Sequence, residues 1–221
     1  ALLLEQVQLL ERLHPVHGED EVLVSGHAET RLFLALPERA AATITIDITV
    51  VTFFSGKEGN YEEIHNPDAE DIYGLSKRLG EVHEKGALTL RTSIIGHELN
   101  TAKSLIDWFL SQKEEVKGFK NAIFSGLTTI EMGKVLENIL LHNYDLTGLF
   151  HLSVNPINKF DLLKLVAEIY KKDIKIIEDN NVVIDRSLNS SNLRSITGYN
   201  PPSWRELITE LNQFYNERFK K

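Results

Sequence analysis

The chain has 221 residues, 42% of them hydrophobic and 25% charged, with no cysteine and a formal net charge of -8. Such a length and balance describe a globular chain with one substantial core or two small ones, not a disordered one. The acidic charge argues against a nucleic-acid backbone as partner, the missing cysteines exclude disulfides and thiolate metal sites, and no apolar run reaches the roughly 18 residues of a membrane span. A reducing, cytoplasmic setting is the expectation.

Residues 2–13 place Leu2, Leu3, Val7, Leu9, Leu10 and Leu13 at helical spacing, so an amphipathic helix is predicted there, ended by His14-Pro15. Leu2-Leu3-Leu4 is too short for a signal segment and is followed by Glu5, so no targeting segment is read. His14, His17 and His27 match no metal-ligand spacing and are read as loop histidines; no metal is expected. Glu21 to Gly26 is an apolar run ending in glycine, and Ala28 to Leu36 has helical character, which together predict the strand-turn-helix that opens a Rossmann unit. A dinucleotide fingerprint needs several glycines for the turn, the close approach of backbone to pyrophosphate and the helix packing. Gly26 alone is present, with Glu29 and Arg31 nearby, so Gly26 is a cofactor-contact candidate set against an ordinary strand–helix connection.

Thr43 to Phe54 is dense in β-branched and aromatic residues and carries the strongest strand signal in the chain. A glycine-rich loop, Ser55-Gly56-Lys57-Glu58-Gly59-Asn60, follows it. The stretch from Asp71 to about Glu84 reads as a helix carrying Tyr73 and Lys77 four residues apart, hence on one face. A phenol titrating near pH 10 is a poor proton donor or acceptor at neutrality, and a neighbouring ammonium favours its anion, so the pair suits acid/base work. Leu88 to Thr92 is the next strand, and residues 93–100 a polar loop.

Further on, Leu105 to Leu110 predicts a helix, Lys113 to Lys120 a charged, solvated connection containing Gly118, and Asn121 to Gly126 a short strand and turn. Thr128 or Thr129 caps a helix running to about Leu141, with Glu131 in its first turn. Gly148 to Ser153 is a strand, Asn155 to Lys159 a turn, Phe160 to Tyr170 an amphipathic helix and Ile174 to Ile177 a short strand. Asp185-Arg186-Ser187-Leu188-Asn189-Ser190 follows, and Ser203 with Glu206 three residues later predicts a capping box on a last helix that buries Leu207, Ile208, Leu211 and Phe214.

The order strand, glycine-rich loop, Tyr73/Lys77 helix, strand, Arg91-Thr92-Ser93 loop, with the Asp185–Ser190 segment, resembles the extended short-chain dehydrogenase/reductases, most closely their dTDP-4-dehydrorhamnose reductase-like branch. The resemblance runs from about Thr49 to the C-terminus. It implies an α/β fold, a Rossmann-like parallel sheet flanked by helices with a smaller C-terminal substrate-binding region. Residues 1–95 would be the nucleotide-binding domain and 96–221 the substrate-binding region.

It implies NAD(P)-dependent reduction or epimerisation of a nucleotide-linked keto-sugar, with NADP or NAD as cofactor and a nucleotide sugar as substrate. Nucleic acid and membrane are not among the partners, and a homodimer through the Tyr73 helix is implied. Tyr73 would be the acid/base and Lys77 its partner, both touching the cofactor with Thr92, Ser93 and Gly26; Arg186 and Asn189 would contact substrate. Two departures are visible: the family's third catalytic hydroxyl falls on Val50, with the adjacent acidic position at Val51, and the glycine fingerprint is missing. The alternatives are therefore an inactive binding or regulatory relative, or a truncated or composite piece of such an enzyme.

Overall fold

A computed structural model describes residues 23–24, 30–35, 43–50, 53–70, 72–79, 81–82, 85–98, 104–137 and 146–219. The predicted helix at 2–13, the histidines at 14, 17 and 27, and Gly26 lie outside them. Every structural statement below concerns the described residues.

The central sheet has five strands in the order β1 (Leu23–Val24), β2 (Thr30–Ala35), β3 (Thr43–Val50), β4 (Leu88–Thr92) and β8 (Gly148–His151). Strands β3, β4 and β8 run parallel, in the register Thr49↔Arg91↔His151. Helix α1 (Ile72–Leu79) lies in the crossover from β3 to β4, as a parallel pair requires. Strand alternation then sorts the side chains. Ile46, Ile48, Leu88 and Leu90 join the main apolar core, whereas Asp47, Thr49, Thr89, Arg91 and His151 share the opposite face and are also buried.

A second, three-stranded sheet has the order β10 (Ile176–Asp185), β6 (Val116–Phe124) and β9 (Ile157–Asn158), with β10 parallel and β9 antiparallel to β6. A short parallel pair, β5 (Ile94–Ile95) with β7 (Leu127–Thr128), joins the loop after β4 to the turn after β6. Around these sheets pack α2 (Leu105–Ser111), α3 (Thr129–Val135), α4 (Lys159–Ile169), α5 (Ser191–Thr197) and α6 (Trp204–Phe219). Their inward residues Ile106, Phe109, Met132, Leu162, Val166, Leu207, Ile208 and Leu211 complete the main core. Each is a side chain whose full burial contributes roughly 1.5–3 kcal/mol.

The caps follow the sequence signals. The Thr128 hydroxyl accepts from the Glu131 N–H at 3.3 Å, and Asn158 Oδ1 accepts from the Asp161 N–H at 2.8 Å. The capping box of α6 forms as predicted: Glu206 N–H donates to Ser203 Oγ (3.3 Å) and Ser203 N–H to Glu206 Oε2 (2.7 Å). Leu207, Ile208 and Leu211 are buried, and Phe214 is half-buried.

Three expectations are corrected. Residues 30–35, expected within a helix, form β2, antiparallel to β3 across six pairs from Thr30↔Ile48 to Ala35↔Thr43. A short apolar run does not distinguish helix from strand by periodicity, and the open edge of β3 provides a full ladder. The first three strands are therefore antiparallel in succession, not the strand-turn-helix of a Rossmann opening. The stretch Lys113–Lys120, expected as a solvated connection, enters the middle strand of the second sheet at Val116. Val116, Gly118 and Ala122 point inward, while Lys117 reaches Asp179 (3.1 Å) and Lys120 reaches Asp161 (3.0 Å) from the strand's margins. The strand expected at Ile174–Ile177 continues to Asp185, because β6 offers a parallel partner along that length.

Candidate functional site

Ligands of open α/β sheets gather at the carboxyl ends of parallel strands. That edge is here formed by Val50, Thr92 and His151, closing β3, β4 and β8. Thr92 is fully buried, and its hydroxyl donates to the Ser93 carbonyl at 3.3 Å. Tyr73 and Lys77 stand one helical turn apart on α1, in the crossover leading from that edge. Within the following loop, Ser93 is half-buried, whereas His97 is buried and spent on structure. Its Nδ1 is 2.5 Å from Asp107 Oδ1, its Nε2 2.8 Å from the Tyr170 hydroxyl, and its ring stacks on Tyr215.

The loop after β3 is locked onto the Asp185–Ser190 segment. Phe54 stacks on Tyr61 with ring centres 4.1 Å apart, and Phe53, Phe54, Tyr61 and Leu188 form a small separate core. Backbone bonds link Tyr61 N–H to Ser187 O (2.9 Å), Asn189 N–H to Tyr61 O (2.7 Å) and Asp185 N–H to Gly56 O (2.8 Å). The Tyr61 hydroxyl accepts from the Gly56 N–H at 3.1 Å. Gly56 has φ +84°, and a Cβ there would lie 3.1 Å from Arg186 Cγ and 3.2 Å from the Asp185 nitrogen. Only glycine fits this conformation and this approach without strain.

This docking decides what the Asp185–Ser190 residues do. Leu188 fills the small core, Ser187 Oγ accepts from the Asn60 N–H (2.8 Å), and Ser190 Oγ bonds Ser153. Asn189, a substrate candidate, uses Oδ1 to accept from both the Ser191 N–H (3.0 Å) and the Ser191 hydroxyl (2.6 Å) at the start of α5. Its Nδ2 donates to Glu62 Oε1 at 3.4 Å. Arg186 is different: its Nε is buried with no hydrogen-bond partner.

Arg186 lines a cavity of about 160 Å³ together with Ser93, Ala122, Ile123, Phe124, Lys159 and Ile184. Residues 93 and 186, remote in sequence, thus meet in one concavity beside the sheet edge. Lys159 is a lining residue that the sequence reading missed. It follows the Asn158 cap as the first residue of α4, where the helix dipole disfavours a cation. That mismatch was the available signal. Burial, and then the adjacent Arg186 charge, hold the Lys159 pKa below the usual lysine range.

Beneath the edge lies a buried polar layer. Arg91 forks onto Glu81, with Nε–Oε1 at 2.6 Å and Nη2–Oε2 at 2.8 Å, and their side chains are 5% and 2% exposed. The guanidinium also sits over the Phe53 ring, 4.9 Å from its centre. His151 Nδ1 donates to the Tyr61 carbonyl at 2.9 Å, which fixes the neutral tautomer, while its Nε2 is buried without a partner. Burial is the main reason the His151 pKa is pushed down to about 4, with the nearby Glu63 carboxylate opposing it. Thr49 is on this same face, and its buried hydroxyl is also unpartnered. Alternation therefore keeps Thr49 from standing in for the hydroxyl missing at Val50.

Among the described residues no group of three or more histidines and carboxylates is placed to hold a metal, and no helix is long and apolar enough to cross a membrane.

No family model matches the sequence, and no curated protein matches it. Solved structures do match. A dTDP-4-dehydrorhamnose reductase from Bacillus anthracis, in complex with NADP, superposes with a TM-score of 0.63 at 24% identity, over 76% of this chain and 64% of that one. A hypothetical dTDP-4-dehydrorhamnose reductase from Sulfolobus tokodaii gives 0.56 at 26% identity, over 72% and 61%. A UDP-N-acetylglucosamine 4-epimerase from Methanobrevibacter ruminantium, in complex with UDP-N-acetylmuramic acid, gives 0.58 at 17%, over 77% and 63%. The chain spans less than two thirds of the length of each of these proteins. Across some three quarters of its own length, it has the Rossmann-like fold of dTDP-4-dehydrorhamnose reductases and related sugar-nucleotide enzymes.

Proposed function

We propose that this protein carries out NAD(P)-dependent reduction or epimerisation of a nucleotide-linked keto-sugar. The observation that carries the reading is the position of the Tyr73/Lys77 helix in the β3–β4 crossover of a fold shared with sugar-nucleotide enzymes. The donor set suits a nicotinamide cofactor: the sequence supplies a phenol and an ammonium four residues apart on the helix that follows β3, and the Thr92–Ser93 turn closes β4 at its carboxyl end. The cofactor, NADP or NAD, supplies the hydride when bound. Tyr73 delivers the proton to the developing alkoxide, and Lys77 lowers the phenol pKa and holds the ribose hydroxyls. Arg186 receives the nucleotide's phosphates, for which a guanidinium fork is suited. Asn189 serves substrate binding by fixing the loop that presents Arg186. In this reading, residues 1–95 hold the cofactor and 96–221 the sugar nucleotide.

Turnover of a 4-keto nucleotide sugar with NADPH, followed by nicotinamide absorbance and lost in Tyr73→Phe, tests the assignment. A second reading, a binding protein of the same fold without turnover, is favoured by Val50 at the hydroxyl position. Saturable binding of sugar nucleotide without any oxidation of NADPH would select it.

A further inference from the structure

Lys159 is held in surroundings that disfavour an ammonium ion. It is half-buried, it begins α4, where the helix dipole favours negative charge, and it shares a cavity with Arg186. No carboxylate lines that cavity, and Asp161, the acid of the same helical turn, is taken by Lys120 (3.0 Å) and Asn158 Nδ2 (2.6 Å). Neither the Lys159 nor the Arg186 side chain has an ion-pair or hydrogen-bond partner among the described residues, and Arg186 Nε is buried. A lysine desolvated beside a second cation keeps part of its amine neutral and nucleophilic. Burial first, and the Arg186 charge second, lower the Lys159 pKa accordingly. The cavity volume of about 160 Å³ is below the roughly 300–1,000 Å³ of a whole small-molecule site, so an electrophile that enters it is small.

We propose that Lys159 is a carbamylation site: its neutral amine takes up carbon dioxide, and the carbamate so formed pairs with Arg186. The nitrogen lone pair attacks the carbon, an N–C bond forms as one C–O π bond opens onto oxygen, and the displaced proton goes to water. Counted from the ammonium form, a cation becomes an anion and two protons are released, with nothing oxidised or reduced. Carbon dioxide is favoured over other small electrophiles because its product is an anion. Repulsion between Lys159 and Arg186 is replaced by a charge-assisted hydrogen bond, and the mismatch with the α4 dipole becomes a match. An acetyl group only removes the positive charge, and a Schiff base also leaves the cavity without an anion. Ser93 adds a hydroxyl donor to the same lining. The carbamate does not depend on the sugar-nucleotide reading; within that reading it competes with the substrate's phosphates for Arg186.

The test is chemical trapping. The full chain is equilibrated with isotopically labelled bicarbonate at mildly alkaline pH, with no nicotinamide or sugar present; carbamates are fixed by O-ethylation with triethyloxonium ion and located by peptide mass spectrometry. The expected result is a labelled adduct on Lys159 at about tenfold or greater occupancy than on any other lysine, with the α-amino group, whose ordinary pKa is also low, as the internal reference. Lys159→Arg removes the adduct. Arg186→Met lowers it about tenfold, the loss of one charge-assisted contact. Arg186→Lys, which keeps the charge, retains it, and this variant decides the matter should Arg186→Met fold poorly by circular dichroism. Absence of label on Lys159 in the wild type, uniform labelling of the lysines, undiminished labelling in Arg186→Met or loss of label in a folded Arg186→Lys would overturn the site. A labelled Lys159 in a chain that turns over no sugar nucleotide would instead overturn the oxidoreductase reading and leave the carbamate standing.

Discussion

His151 couples folding stability to pH. In the folded chain its Nδ1–H is given to the Tyr61 carbonyl, its Nε2 is buried with no hydrogen-bond partner, and its pKa is about 4 against the ordinary 6.5. Between those values the unfolded chain holds the extra proton and the folded chain does not, so stability falls as the pH drops below 6.5 and this contribution levels off below about 4. The linkage integral from pH 7 to pH 5 gives about 2 kcal/mol, out of a limit of about 3 kcal/mol below both pKa values. Other groups also titrate there, so the comparison is with His151→Asn, whose side-chain amide still donates to the Tyr61 carbonyl but does not ionise. Urea unfolding of both proteins at pH 7 and pH 5 isolates the term. Wild type is expected to lose about 2 kcal/mol more than the variant across that interval. Parallel losses in the two proteins would refute the assignment of a neutral, desolvated His151.

The Arg91–Glu81 fork is closed off from solvent, so removing one partner strands the other: Glu81→Gln or Arg91→Met is expected to cost about 3–5 kcal/mol in denaturant unfolding, and the double variant much less than the sum. A Cβ on Gly118 would come 2.8 Å from the Phe160 Cα, pushing α4 off β6; Gly118→Ala is expected to lose about 1–3 kcal/mol, read by thermal unfolding. For the proposed chemistry, Tyr73→Phe is expected to lower turnover by about 10²-fold or more while NADPH still binds, and Lys77→Met to weaken both.

Local signals with a physical mechanism were legible. The Leu88–Thr92 strand, the Thr128 cap preceding α3 and the Ser203/Glu206 box appear where β-branching, dipole and capping chemistry place them. What periodicity could not deliver was partner choice. Residues 30–35 form a strand because β3 has an open edge, and the lysines on either side of Gly118 are accommodated within β6, where Asp179 and Asp161 face them from elsewhere in the chain. The candidate site divides the same way. Tyr73 and Lys77 are visible as a four-residue spacing on one helix, and Arg186 through the segment that surrounds it. Its meeting with Ser93 and Lys159 depends on three elements converging, and the only local trace of that is a lysine set against the dipole of α4.

The measurement that bears most directly on the proposed activity is a titration of this chain with NADPH and NADH, followed by nicotinamide fluorescence. Saturable binding in the micromolar range, with one cofactor preferred, is the predicted result. No binding of either at millimolar concentration would contradict the account of this chain as a self-sufficient nicotinamide-dependent enzyme.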